Sequence, residues 1–198
     1  MIAGDSLDDV LSDVWSRWVR GGADRKSAFH TPVVASVDDA GNPQQRVMVL
    51  RKCDAAARMI RFHTDIRSAK VAQIGKRVSV IGYDPAAKIQ IRVSGTAAIE
   101  RDGLLADAAW AASNASSRRC YLAEPGPGTV TPLPGSGLPA SVESRVPDIE
   151  ETLPGRGNFA VMMVTLDSLE WLYLAHDGHR RARFVWDDDA WRGVWLIP

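Results

Sequence analysis

The sequence predicts a mainly β chain of the α+β class: an antiparallel β-barrel with flanking helices. Three observations lead there. Segments rich in Val, Ile and aromatic residues recur through most of the 198 residues, bounded by Gly, Pro and Asp clusters. Hairpin signals such as Asp177-Gly178 join neighbouring segments. No strand–helix–strand alternation and no internal repeat is present. Closing the sheet removes exposed edges, so a barrel is the expected solution for roughly seven or eight such strands.

The first element is predicted helical. Leu7, Val10, Leu11, Val14, Trp15 and Trp18 form one apolar face, Ser6 is the candidate N-cap, and Gly21-Gly22 is the expected stop. "TPVVASVDDAGNPQQRVMVLRKCD" then reads as strand, turn and strand, with the turn at residues 38–43. "RMIRFHT" is the next strand, and a short helix over 66–75 is closed by Gly75. "RVSVIGYD" and "KIQIRVSGTAAIE" form a pair around Pro85, and 101–113 returns to helical spacing. "NFAVMMVTL", "LEWLYLA", "RARFVW" and "WRGVWLI" complete the set, with the last turn at Asp187-Asp188-Asp189. Residues 124–139 contain nine Pro or Gly among sixteen and are expected to be irregular. One domain over 1–198 is the expected organisation.

Lys plus Arg and Asp plus Glu each number 24, so no basic excess points to nucleic acid or a membrane surface. Two cysteines, Cys53 and Cys120, without CxxC spacing, make a disulfide framework or cysteine zinc site unexpected and favour a cytoplasmic setting. The acidic, amphipathic start does not read as a signal peptide, and no apolar run is long enough to span a bilayer. His176 and His179 flank a turn without an acidic or cysteine ligand set, so no metal site is expected. There is no GxGxxG, Walker or nucleophile motif.

What remains is a set of polar groups on strands. Arg46 and Arg51 bracket "RVMVLR"; solvated strand-end cations would account for them as well. Thr64, Arg67, Ser68 and Lys70 cluster where a strand meets a predicted helix, and cations there oppose the helix dipole unless an anion is near. An N-cap serine alone would explain Ser68. Gln90 lies in an apolar strand, where an amide needs a partner in the protein or on a ligand. Trp171 fits a core position, and Arg180, Arg181 and Arg183 fit a solvated strand face. Together these groups suit a phosphorylated, planar ligand and chemistry carried by a cofactor.

The order "QRVMVLR … FHTDIRSAK … KIQIRVSG … HRRARF … LIP" resembles the pyridoxamine 5'-phosphate oxidase-related family of FMN-binding split barrels, from about Phe29 to Gly95 and from about Phe159 to Pro198. The resemblance implies a six-to-eight-stranded antiparallel split barrel, and a homodimer with FMN at its interface. By that resemblance Arg46, Thr64, Ser68 and Lys70 take the FMN phosphate, with His63 beside Thr64. Val47, Met48 and Val49 lie along the flavin, and Arg51 and Gln90 contact the ring. Trp171 and Arg183 approximate the family's C-terminal tryptophan and arginine. Two departures stand out. The family's Arg-x-His-Asp-Arg is here His179-Arg180-Arg181-Ala182-Arg183, and its Arg-Pro-x-x-Ser segment is missing from 110–128. The implied activity is an FMN-dependent oxidoreductase on a small molecule other than pyridoxamine phosphate. Related split barrels that hold F420 or haem, a flavin binder without turnover, and a plain interaction module are the alternatives.

Overall fold

The structure, a computed structural model, describes residues 5–73 and 77–198; Gly75, the expected end of the second helix, lies outside them. Helix α1 spans Leu7–Ala23, capped by Ser6, whose hydroxyl accepts from the Asp9 N–H at 3.1 Å. Its stripe of Val10, Val14 and Trp18 is fully buried, worth about 1.5–3 kcal/mol per side chain. The glycine pair does not end the helix. A Cβ at Gly21 would lie 2.6 Å from the Phe29 carbonyl oxygen, and one at Gly22 would lie 3.2 Å from the backbone of residues 52–53. These glycines serve close packing, and the helix runs past them to Ala23.

Among the described residues nine strands follow: β1 Val33–Val37, β2 Pro43–Val47, β3 Leu50–Asp54, β4 Met59–Asp65, β5 Arg77–Asp84, β6 Ile89–Glu100, β7 Phe159–Tyr173, β8 Arg180–Asp187 and β9 Ala190–Leu196. They form one sheet in the order β2-β1-β5-β6-β7-β4-β3, with β8 on β7 and β9 on β8. The count exceeds the expected six to eight. The expected strand over 45–52 breaks at Met48-Val49, because the Met48 N–H turns aside to the Pro32 carbonyl at 3.0 Å. Its halves, β2 and β3, stand at opposite ends of the path, so two covalently consecutive strands join the ends of the sheet, the connectivity of a barrel. Conversely, the two segments expected within 158–175 are the single 15-residue β7. Between β6 and β7 the backbones approach so closely that a Cβ at Gly95 would sit 2.0 Å from the Thr165 carbonyl oxygen.

The remaining helices are short: α2 Ala69–Ala72, α3 Leu104–Ala111, α4 Ala115–Arg118 and α5 Ala140–Glu143, with 3-10 turns at Arg119–Leu122 and Glu150–Asn158. Residues 124–139 carry no helix or strand. Among the described residues no helix is long and apolar enough to cross a membrane.

The chain divides into two compact units, residues 5–62, 77–98 and 163–198, and residues 63–73 and 99–162. In the first, Trp18 meets Phe29 edge-on at 5.2 Å, and Leu50, Ile60, Phe62, Leu166 and Phe184 are buried. In the second, Phe159 is the centre of an edge-to-face cluster with His63, Trp110 and Tyr121, at 4.8, 5.3 and 5.1 Å between centroids. Arg118 is buried there, stacked on Trp110, with its guanidinium donating to the Trp110 and Ala111 carbonyls. It thereby satisfies the orphan carbonyls at the end of α3.

Candidate cofactor site

The second unit brings three of the sequence-derived residues together. β4 ends at Asp65, leaving Thr64 buried, and the chain turns through 66–68 into the single turn of α2. Lys70 Nζ donates to Thr64 Oγ1 at 3.1 Å and to Ser68 Oγ at 2.8 Å. One ammonium and two hydroxyls thus share one point. Ser68 is at the N-cap position but makes no capping hydrogen bond; its hydroxyl serves Lys70 instead. His63 precedes Thr64 and packs on Phe159.

The expected helix over 66–75 is therefore only Ala69–Ala72 among the described residues, and a single turn has little macrodipole. Arg67 has its own anion. Asp65, buried, accepts from the Arg67 backbone N–H at 2.9 Å and from its guanidinium at 2.6 and 2.9 Å. The same guanidinium donates to the Ala123 and Glu124 carbonyls, which ties the start of the irregular 124–139 segment to this turn. The hydrogen bonds to Asp65 hold Arg67 above its ordinary pKa. The Asp-x-Arg spacing was the sequence signal for this pair.

The first unit holds the other candidates. Arg46 stands opposite Val34 on β1 and donates to Ser36 Oγ at 2.6 Å; burial pulls its pKa below the ordinary value. Val47 is 65% exposed and pairs with Val33, Met48 is buried, and Val49 is half-buried between β2 and β3. Gln90 faces Tyr83 across the β5–β6 ladder, on the outward side of β6, so its amide is not enclosed in the core. Trp171 is 1% exposed and its indole N–H donates to Asp13 on α1 at 3.3 Å, the core position that its apolar surroundings suggested. Arg183 is exposed on β8, between Glu170 and Val194. Arg51 is half-buried on β3, and its Nε is shut off from solvent without a hydrogen-bond partner. Arg61 of β4 shares that condition and is a charged residue that pattern reading passed over. Among the described residues no cluster of His, Cys, Asp and Glu could hold a metal ion.

The sequence and the fold have counterparts among known proteins. A family model described as pyridoxamine 5'-phosphate oxidase, FMN-binding domain, matches residues 12–101. The chain is 32% identical over 88 residues to pyridoxine/pyridoxamine 5'-phosphate oxidase of Edwardsiella ictaluri, a match spanning 43% of this chain and 40% of that protein. It therefore covers well under two thirds of that relative. In fold it is similar to a pyridoxamine 5'-phosphate oxidase-related, FMN binding protein from Nostoc punctiforme, with a TM-score of 0.72, 23% identity, and 94% and 96% of the two chains covered. It is similar also to PhzG from Burkholderia lata, solved with tetrahydrophenazine-1-carboxylic acid, with a TM-score of 0.66, 17% identity, and 97% and 90% covered.

Proposed function

We propose that the protein is an FMN-dependent oxidoreductase acting on a small molecule, as a homodimer: the pyridoxamine 5'-phosphate oxidase FMN-binding domain model matches residues 12–101, and the fold is similar to that of an FMN-binding split barrel. The observation that carries this reading is the Lys70, Thr64 and Ser68 cluster. A cation with two adjacent hydroxyls is the donor set that a phosphate monoester needs, and each charge-assisted hydrogen bond is worth about 1.5–3 kcal/mol. FMN fits those donors.

On this reading Lys70, Thr64, Ser68 and Arg46 would hold the flavin phosphate. The backbone of Val47, Met48 and Val49 would run along the ring, with His63 beside it. Arg51 and Gln90 would contact the ring, where a cation or amide donor favours the reduced, anionic form. When bound, the flavin supplies two-electron chemistry. Trp171 and Arg183 enter the set by resemblance alone. Pyridoxamine phosphate is not the proposed substrate. The family's C-terminal Arg-x-His-Asp-Arg is altered at 179–183, and Arg118, an arginine in the region of the missing Arg-Pro-x-x-Ser segment, is buried against backbone carbonyls.

Two measurements test this. The visible spectrum of the purified protein, with mass identification of anything released on denaturation, should show flavin bands and FMN. A colourless protein that also fails to bind added FMN ends the oxidoreductase reading. The double substitution Lys70→Ala with Arg46→Ala should weaken FMN by about 3 kcal/mol or more in a fluorescence titration. Stoichiometric FMN in that variant would remove the phosphate assignment. Reduction by NAD(P)H followed by reoxidation would separate an enzyme from a flavin store.

A further inference from the structure

β3 and β4 pair with one residue too many on β3. Leu50 stands opposite Phe62 and Cys53 opposite Ile60, with a register shift between Leu50 and Lys52. Leu50, Phe62 and Ile60 are fully buried, and burial pushes the Cys53 thiol up to about 12. Leu50 and Cys53 thus both face the core, three residues apart instead of the even spacing a regular strand imposes. The two residues between them, Arg51 and Lys52, are turned to the other side, where β4 presents the single residue Arg61.

Three cations therefore share one face of a bulge. Like charges opposed across a ladder are destabilising. Among the described residues no carboxylate pairs with any of the three. Lys52 is exposed and solvated, but Arg51 and Arg61 each keep an Nε–H out of water with no acceptor. Burial pulls the Arg61 guanidinium below its ordinary pKa. Other arginines are given partners: Arg17 has Asp13 and Asp84, Arg77 has Asp167, Arg92 and Arg181 share Glu170, and Arg118 has the Trp110 and Ala111 carbonyls.

We propose that Arg51 and Arg61, with Lys52 at the rim, form an oxyanion site that takes the carboxylate or phosphate group of the substrate. Guanidinium groups present planar forks of donors that match either group, and one oxyanion accepts from both arginines. That the anion belongs to a substrate beside the flavin rests on the function proposed above; that the bulge binds an oxyanion does not. Arg61 is then the residue that sets substrate charge.

The test is isothermal titration of inorganic pyrophosphate and of benzoate into the protein, with and without saturating FMN. Wild type should bind at least one probe, pyrophosphate more tightly if the natural group is a phosphate and benzoate if it is a carboxylate. Arg61→Met should weaken that binding about tenfold or more, and Arg61→Lys should restore part of it. FMN affinity should stay within about twofold. Equal binding by wild type and Arg61→Met, or no binding of either probe to wild type, overturns the site. So does loss of FMN from Arg61→Met with pyrophosphate competing against FMN, which would give the cations to the cofactor phosphate. If Arg61→Met does not fold, Arg61→Gln makes the same comparison. A protein that binds benzoate through Arg61 but never takes up flavin would keep this site and end the oxidoreductase reading.

Discussion

The turn at 65–70 and the bulge at 51–61 both concentrate positive charge, and they treat it in opposite ways. In the turn, Arg67 finds the Asp65 carboxylate two residues away and closes on it with three hydrogen bonds. At the bulge, Arg51 and Arg61 face the same side, with no carboxylate paired to either among the described residues. The first arrangement is complete without any ligand, so its arginine is structural. The second is incomplete, and its cost is carried by the free protein.

That difference can be broken in order of expected size. Asp65→Asn removes a buried carboxylate and leaves Arg67 without its anion, so thermal unfolding should show a loss of about 3 kcal/mol. An unchanged melting temperature would mean that the turn does not depend on the pair. Arg61→Met should do the reverse in the ligand-free protein, raising stability by about 1 kcal/mol, because it removes an unpartnered buried donor and a like-charge neighbour. A clear destabilisation would show that Arg61 already has what it needs.

The smallest effect sharpens the contrast at the surface. Hydrogen bonding from Arg145, and then from the Asp148 backbone N–H, holds Glu151 down to about 2 from an ordinary 4.5. The unfolded chain takes up this proton first, so the stabilisation is complete above about pH 4.5 and is lost as pH falls through about 2. Glu151→Gln should lower the melting temperature slightly at pH 7, and the gap from wild type should close towards pH 2. A gap independent of pH would point to packing instead of charge.

Much of this was written locally and could be read locally. β5 coincides with "RVSVIGYD" because its period-2 alternation is bounded by turn residues at both ends. Lys70, Ser68 and Thr64 were legible as a group because they fall within seven residues. The break at Met48-Val49 was not, since an unpunctuated apolar run gives no sign that a neighbouring carbonyl will capture one of its N–H groups. Gly21 and Gly22 read as a stop because nothing local announces that Phe29 and β3 will press against them. Arg61 escaped notice for a related reason. A cation in a strand looks solvated until cross-strand register shows which residues it faces.

The place of β7 in the sheet has a consequence for the order in which the molecule can be made. Strand β4 lies between β3 and β7, and the Arg58 carbonyl beside it accepts from the Leu166 N–H, a partner 108 residues further along the chain. During synthesis at roughly 5–20 residues per second, the β3–β4 hairpin would wait about 5–20 s before that partner is made. Through that interval one side of β4, with Ile60 and Phe62 beside it, has no strand to pair with, and the β5–β6 hairpin waits for the same β7. The nascent chain is most open to mispairing then, and the last quarter of the sequence closes it.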